Sequence, residues 1–402
     1  MSRSWTTRLA AGGGLSVVGL ALLFGNPWLT KYVITSDPLP RSETFQLILG
    51  TLRFPTWAVP GVIDGLSGGL MLATALRTIL IAVLVALLLR GAGRLIGIRP
   101  RGTGLFLIVW GVVVVAAAVA GLVTSPLLRA ALPAGVFRAL LPTLTGKPSI
   151  GFYAMGQLRA GAGYGVLVGW LPAVVAVAAS RPATTPAGEA APIQVWRRRL
   201  TRTGMTATAA LVLLLGNPWL TRDLAESPSN FDGSRLLQGP RILLDALRFP
   251  DWALPGIPGR WSGFRVLATD VAALLVVVAV GAAMLVVCRS LRARSRTLSL
   301  LVTVWAVVAV AGAIGAAAGS PLLGLTLHAE GLRYAPLPYA LRQAFAGATY
   351  GVLVGWVPAL LVMGVAGRPL DQPLLPGFAP ADDEDELPGV VRDTAPPQHQ
   401  PT

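Results

Sequence analysis

Two charged residues interrupt apolar stretches that are otherwise suited to crossing a membrane. Arg77 lies in the stretch Gly69–Leu89, and Asp270 lies in the stretch Val266–Val287. An uncompensated charge near the middle of a membrane helix costs on the order of 2.5–3.5 kcal/mol. We therefore predict that Arg77 and Asp270 form an ion pair between the two halves of the chain, or line one polar cavity there. The alternative is that both helices begin later, which leaves both charges near the membrane surface.

Two loops of the chain carry a second set of cations at matching places. They are Lys31 and Arg53 in one loop, and Arg222 and Arg248 in the other. Such cations can bind the phosphates of lipid headgroups or of a polyanionic substrate. The alternative is structural: Arg53 and Arg248 end short helices and lie along the membrane surface, where a cation favours the helix dipole.

Residue types with catalytic or cofactor chemistry are scarce. One cysteine, Cys288, and two histidines, His328 and His399, exclude a disulfide framework and a cysteine-rich or histidine-rich metal centre. Ser125 and Ser320 each precede a proline, a pattern that predicts the end of a helix, and neither has an acid or a base nearby. No phosphate-binding loop or dinucleotide fingerprint occurs. We predict no catalytic residue, no metal and no cofactor.

The elements that must position these residues occur twice. GNPWLT at Gly25–Thr30 returns at Gly216–Thr221, and YGVLVGW at Tyr164–Trp170 returns at Tyr350–Trp356. We refer to residues 1–182 as the first copy and to residues 196–369 as the second copy. Duplication inside an apolar chain is typical of one membrane unit that is used twice.

Composition and spacing predict an all-α integral membrane protein. The chain is 54% hydrophobic and only 13% charged, which lies outside the usual range of soluble proteins. A membrane span needs about 20 apolar residues. Eight stretches meet this requirement: Leu9–Leu29, Gly69–Leu89, Gly104–Val123, Gly161–Ala179, Thr203–Leu220, Val266–Val287, Leu298–Gly319 and Phe345–Ala366. We predict two tandem, parallel four-helix repeats, with short interfacial helices over Ser42–Leu52 and Pro240–Leu247 in the outer loops.

The basic residues predict the orientation. Arginine-rich turns at 90–101, 181–202 and 289–296 lie between spans on one side. The positive-inside rule therefore places both termini in the cytoplasm, and the arginine- and alanine-rich composition suggests a bacterial inner membrane. The net charge of +15 is concentrated in such loops, so nucleic-acid binding is not expected. Residues 183–195 are a predicted cytoplasmic linker, and residues 370–402 a disordered, acidic, proline-rich cytoplasmic tail.

A small-residue motif followed by proline occurs once in each copy. It comprises Gly165, Gly169 and Pro172 in the first copy, and Gly351, Gly355 and Pro358 in the second. Glycines at this spacing allow close helix packing, and the prolines can kink the helix. We favour packing within each copy over a gating hinge.

Three functions remain open, and we favour the first because duplication around a site at the membrane midplane has a physical rationale. The first is a transporter or permease-like protein with a path between the two copies. The second is a non-catalytic assembly or accessory protein that binds lipid, such as an anionic lipid, or a membrane-protein partner through its aromatic outer loops. The third is an enzyme acting on a lipid-linked substrate, which is disfavoured because the loop acids do not recur: Asp251 corresponds to Thr56. A polar cavity between the copies favours transport, and a closed apolar interface favours the accessory role.

Overall fold

The computed structural model describes residues 3–28, 42–54, 68–93, 102–132, 149–178, 191–218, 238–253, 263–291, 297–329, 331 and 334–366. Its regular elements are α-helices. The first copy contains α1 (Arg3–Phe24), α2 (Glu43–Leu52), α3 (Gly68–Gly93), α4 (Gly102–Ala131), α5 (Ile150–Val168) and α6 (Trp170–Ala178). The second contains α7 (Ala191–Leu215), α8 (Gln238–Leu247), α9 (Gly263–Cys288), α10 (Thr297–Ala329), α11 (Pro336–Val354) and α12 (Trp356–Ala366).

The predicted class, a multi-pass helical membrane protein, is confirmed. Among the described residues five segments are long and apolar enough to cross a membrane: α3, α4, α5 with α6, α9 and α10. The bent pair of α11 and α12 becomes a sixth if it is counted as one span. The apolar part of α1, Leu9–Phe24, covers only roughly 24 Å at ~1.5 Å per residue. Arginines occupy the first half of α7. Eight spans therefore remain a prediction.

The side chains of α3 show how these helices face the lipid. Its exposed residues recur every three or four positions: Leu72, Leu76, Ile79, Val83 and Leu87. The opposite side is buried and includes Arg77, Ile81 and Val85. An apolar stripe of this kind is stable against lipid tails, while the other face packs on protein.

Helices α4 and α10 form the centre of the molecule, and they pack against each other. Val112 and Val113 on α4, and Val307 on α10, have no exposed surface. Gly111 lies so close to the backbone of Ala306 that a Cβ atom added there would collide with it. Small and β-branched side chains thus allow α4 and α10 to pack closely through apolar contacts.

Corresponding helices pack in corresponding pairs. Helix α4 packs on α3 and α5 in the first copy, as α10 packs on α9 and α11 in the second. The contacts between the copies are reciprocal, because α4 contacts α9 and α10 contacts α3. An exposed ion pair between Arg342 and Glu43 also joins α11 to α2.

The predicted helix ends at Ser125 and Ser320 are wrong. Helices α4 and α10 continue through Pro126 and Pro321 to Ala131 and Ala329. Proline lacks the N–H that would bond the carbonyl four residues earlier. The hydroxyl of Ser125 donates to that carbonyl, Leu122 O, at 2.7 Å, and Ser320 does the same to Ala317 O at 2.7 Å. The serine replaces the missing donor, so the helix persists.

The glycine motifs lie at close helix contacts. A Cβ atom added at Gly165 would collide with the backbone of Val114 on α4, and one at Gly351 would lie 2.5 Å from Cα of Ala309 on α10. Both contacts lie within a copy, which fits the packing interpretation. The predicted kink occurs at Gly355, where α11 and α12 meet at 48°, and Pro358 lies in the first turn of α12.

The predicted linker and the two predicted interfacial helices can be compared with the helices of the structure. Helix α7 begins at Ala191, inside the predicted linker 183–195. The predicted helices Ser42–Leu52 and Pro240–Leu247 coincide with α2 and α8. The predicted tail 370–402 lies outside the described residues.

Candidate functional site

The charge in the first copy, Arg77, is held inside its own copy. Only 6% of its surface is exposed. Its Nη1 donates a hydrogen bond to Oε1 of Gln157 on α5, at 3.0 Å. Its Cζ lies 4.5 Å from the centroid of the Phe54 ring, which is a cation–π geometry. A guanidinium between an amide oxygen and an aromatic face is thereby stabilised without a carboxylate in either contact.

The local sequence explains this arrangement. Helix α2 ends at Leu52, and Phe54 follows directly, with 6% of its surface exposed. A Cβ atom added at Gly121 of α4 would lie 3.1 Å from Cζ of Phe54 and would collide with the carbonyl oxygen of Gln157. Glycine is therefore required where α4, α5 and the phenylalanine converge. The ring of Phe54 also contacts Tyr164 of α5, with centroids 5.9 Å apart.

Apolar side chains cover Arg77 on the side of the first residues of α3. Leu70 and Ala73 of α3 form a buried cluster with Leu128 of α4, and Tyr153 of α5 packs against it. We call this group the Leu70 cluster. It lies toward the same ends of the three helices, so the Arg77 site is enclosed.

The second copy has an open cavity among α9, α10 and α11. Its volume is about 210 Å³. The lining includes Phe249, Asp251, Arg265, Ala272, Tyr339 and Gln343. Ala272 and Gln343 lie deeper along their helices than Arg265 and Tyr339, which lie closer to the helix ends. We call the first pair the floor of the cavity and the second pair its mouth.

This cavity corresponds to the Arg77 site. Phe54 and Phe249 both follow arginine in the repeated Arg-Phe-Pro, and Arg77 and Ala272 each lie 23 residues after that phenylalanine. Gln157 and Gln343 each lie seven residues before the repeated tyrosine of YGVLVGW. The Phe249 ring contacts Tyr350 as Phe54 contacts Tyr164, with centroids 6.3 Å apart. The aromatic ring and the amide are retained, but the guanidinium is replaced by a methyl group.

At other positions of the lining, the second copy has charged residues where the first copy has uncharged ones. Arg265 and Leu70 each lie 16 residues after the phenylalanine, so an arginine replaces the leucine of the Leu70 cluster. Asp251 replaces Thr56, and Thr326, which also lines the cavity, replaces Ala131. The second copy has therefore lost a charge at the floor and gained two charges elsewhere in the lining, Arg265 and Asp251.

Asp251 is the acid of the cavity lining. Partial burial of its carboxyl raises the pKa of Asp251 above its ordinary value, Arg248 opposes that rise, and Asp245 adds to it. Two hydrogen bonds hold the segment that carries Asp251, one from the side chain of Trp252 and one from the backbone of Ala253. Trp252 donates its indole N–H to Leu213 O of α7, at 3.1 Å. The acid is thus presented by an anchored segment.

Asp270 provides the other anchor. Its Oδ1 accepts a hydrogen bond from the backbone N–H of Ala253, at 2.8 Å. Asp270 and Arg77 therefore have separate partners, and no ion pair joins them among the described residues. The described lining of the cavity includes neither. The predicted contact between them is absent because Gln157 and Phe54 contact one charge and a loop amide contacts the other.

Two of the four loop cations, Arg53 and Arg248, lie at helix ends. The backbone N–H of Arg53 caps α2 by donating to Leu49 O, and burial lowers the pKa of the Arg53 guanidinium. Arg248 follows the last residue of α8 and forms an ion pair with Asp245 at 3.2 Å. This geometry fits the structural alternative. Lys31 and Arg222 lie outside the described residues.

Several residues of the cavity were missed from sequence. They are Gln343, Tyr339 and Arg265, with Gln157 and Tyr153 in the first copy. A signal was present, because Tyr-x-x-x-Gln stands at the same distance before YGVLVGW in both copies. No cluster of three metal-binding side chains occurs among the described residues. Comparisons with family models, curated proteins and solved structures found no match for this chain.

Proposed function

We propose that this protein is a non-catalytic membrane protein that binds a small ligand or a lipid headgroup in the cavity of its second copy. The observation that carries this proposal is the difference between the copies. The same place is filled by Arg77 in the first copy and forms a cavity of about 210 Å³ in the second. A substitution that opens a site, combined with new charges in its lining, is expected of a site that accepts a ligand.

The contact between the copies favours this function over transport. A transport path between them requires polar, water-accessible surface at their interface. Between α4 and α10, the described interface instead contains apolar side chains without exposed surface, such as Val113 and Val307, and the close approach of Gly111 to Ala306. Transport between the copies, the first interpretation from sequence, would require this packed surface to separate.

The proposal includes an architecture. We infer eight spans in two tandem four-helix units, related by an axis along the membrane normal, as the reciprocal helix pairs suggest. The arginine-rich turns support cytoplasmic termini in a bacterial inner membrane. The cavity lies at the ends of α9, α10 and α11 that this orientation places outside. Its ligand would then come from the outer leaflet or from the outer solution.

Filling the cavity tests the proposal. In Ala272→Leu a larger apolar side chain occupies the floor, and in the matched control Ala282→Leu the same change lies on the exposed side of α9. Native mass spectrometry of the full chain, released from lipid nanodiscs, measures bound lipids and small molecules. We expect a bound species in the wild type and in Ala282→Leu that is at least about tenfold depleted in Ala272→Leu. Equal loading of the three proteins would contradict the proposal.

A further inference from the structure

We propose that the cavity of the second copy binds a zwitterionic group, with a primary ammonium or guanidinium at its floor and an anion such as phosphate at its mouth. This inference rests on the proposed function and names its ligand class. The first copy provides the precedent, because it carries a cation of its own in the corresponding place. Arg77 is the covalently attached occupant of a site that the second copy leaves open.

The floor retains the groups that contact that cation. In the first copy the guanidinium lies 4.5 Å from the Phe54 ring centroid and 3.0 Å from the Gln157 amide oxygen. The second copy places Phe249 and Gln343 in the lining of one cavity. The Gln343 side chain hydrogen-bonds Tyr339. An aromatic face and an amide oxygen can both attract a cation.

Asp251 strengthens this preference. It corresponds to Thr56, so the second copy has gained a carboxylate where the first copy has a hydroxyl. A carboxylate beside an open cavity adds attraction for a cation that is not part of the chain. The first copy does not need this attraction, because its cation, Arg77, is part of the chain.

Arg265 accounts for the anionic half of the ligand. It replaces Leu70, which belongs to the buried apolar cluster of the first copy. Ala272 and Arg265 are seven residues apart on α9, and this spacing separates them by roughly 10 Å along the helix axis. Arg265 places a guanidinium in the cavity lining, and an anion joined to the cation would give that guanidinium a further contact. A phosphate is well matched to guanidinium donors.

The volume limits the size of the ligand. Sites for drug-sized molecules occupy ~300–1,000 Å³, and this cavity measures about 210 Å³. It therefore accommodates a group such as phosphoethanolamine, while a longer ligand would extend beyond the mouth. Both a lipid headgroup and a free small molecule satisfy this chemistry.

Three soluble probes test the ligand class with the full-length protein. The protein is placed in nanodiscs of phosphatidylglycerol alone, which contain no zwitterionic lipid. Glycerophosphoethanolamine carries both charges, glycerophosphate carries only the anion, and ethylammonium carries only the cation. We expect the zwitterion to bind at least about tenfold more tightly than either single-charge probe, since each charge contributes a charge-assisted contact. Titration followed by thermal shift or calorimetry gives the ratio without any substitution.

Two variants assign the contacts. Arg265→Gln is expected to weaken zwitterion binding about tenfold and to leave ethylammonium binding unchanged or tighter, because the repulsive charge is removed. Asp251→Asn is expected to weaken both of these ligands. Arg289→Gln is the matched control, since Arg289 is exposed at the opposite end of the same helix. Binding in the control should equal that of the wild type.

The membrane composition separates the two sources of ligand. If a lipid headgroup is the ligand, phosphatidylethanolamine added to the nanodisc competes with glycerophosphoethanolamine, and its apparent affinity falls in proportion. If a free zwitterion is the ligand, the added lipid has no effect. Either result supports the proposal.

Other results overturn it. Glycerophosphate binding as tightly as the zwitterion, or binding that is insensitive to both Arg265→Gln and Asp251→Asn, would show that the cavity does not recognise a zwitterion. Depletion of a bound species by Ala272→Leu, with no response to any probe, would leave the proposed function intact and exclude this ligand class. Failure of both experiments would remove the cavity as a site.

Discussion

The site of Arg77 in the first copy is filled and covered, whereas the corresponding site in the second copy is an open cavity. In the first copy Arg77 occupies the site, and the Leu70 cluster covers it. In the second copy the small side chain of Ala272 leaves a cavity, and Arg265 and Asp251 are among the residues that line it. Phe249, Tyr339 and Gln343 keep the residue types of their counterparts. The difference suggests the proposal that the second copy gained a binding site when a small side chain replaced a large one.

The comparison also explains why one copy remains closed. Helices α3 and α9 take equivalent places beside α4 and α10, and both copies need packed contacts there. Arg77 fills its place with a side chain whose charge is stabilised by an amide and an aromatic ring. The first copy therefore acts as an internal control for the second, and substitutions that exchange their features test the comparison directly.

The largest expected effect comes from adding an arginine to α9 at two adjacent positions. Ala273→Arg places a charge in the apolar cluster of Val212, Val277 and Tyr350, and we expect a loss of about 3–5 kcal/mol of unfolding free energy. Ala272→Arg restores the residue of the first copy next to Phe249 and Gln343, and we expect a loss below about 1 kcal/mol. Denaturation in mixed micelles measures both. Equal losses would show that the cavity does not accept a guanidinium.

The reverse substitution in the first copy has the next largest effect. Arg77→Ala creates a cavity and removes the donor to Gln157, so we expect the unfolding free energy to fall by about 2–3 kcal/mol. Arg90→Ala, an exposed change near the end of α3, should cost less than about 0.5 kcal/mol. Ethylguanidinium should raise the melting temperature of Arg77→Ala more than that of the wild type, because the variant offers a second site beside the cavity of the second copy. The absence of rescue would weaken the view of Arg77 as an occupant of a ligand-like site.

Much of the fold could be predicted from the sequence because membrane helices obey a simple rule. Apolar length predicts helices such as α3 and α9, and an amphipathic segment before Pro55 or Pro250 predicts α2 or α8. The ends of α4 and α10 could not be predicted, since proline normally ends a helix. The replacement donor, a serine hydroxyl, acts through three-dimensional geometry that a sequence pattern does not report.

The candidate site was only partly predictable. Arg77 and Asp270 were identified because a charge in an apolar stretch is conspicuous, but their partners were not. Gln157 is a neutral residue, and the partner of Asp270 is a backbone amide, so neither gives a charge signal. The cavity itself is defined by the smallness of Ala272, and an alanine in an alanine-rich helix carries no information until it is compared with Arg77.

Substitution of Asp270 tests whether its hydrogen bond to Ala253 holds the segment that carries Asp251 in place. Asp270→Ala removes the acceptor of the Ala253 N–H, and we expect a loss of about 1–2 kcal/mol in unfolding free energy. Hydrogen exchange should rise at Trp252 and Ala253, and zwitterion affinity should fall because Asp251 loses its fixed position. Asp270→Asn retains an acceptor oxygen and should restore most of the protection. Unchanged exchange in Asp270→Ala would separate this residue from the site.

The pH dependence of binding should distinguish the copies through Asp251. Because its folded pKa is raised, the folded state retains a proton that the unfolded state has lost, so stability of the free protein falls as pH rises through that window. Affinity for a cation changes in the opposite sense, since the ionised carboxylate binds it. We expect a decline of a few fold as the pH falls through this pKa. Arg248, Asp245, Arg265 and Tyr339 face the same region, and Asp251→Asn isolates the contribution of Asp251 by abolishing the decline.

The smallest expected effect concerns two tyrosines that the copies share. The hydroxyls of Tyr164 and Tyr350 are buried and have no hydrogen-bond partner among the described residues. Tyr164→Phe and Tyr350→Phe each remove such a hydroxyl, so we expect unfolding free energies that are unchanged or raised by up to about 1 kcal/mol, equally in the two copies. A loss in Tyr350→Phe alone would mean that water from the cavity reaches the second tyrosine. The difference between the copies would then include Tyr350, whose ring contacts Phe249.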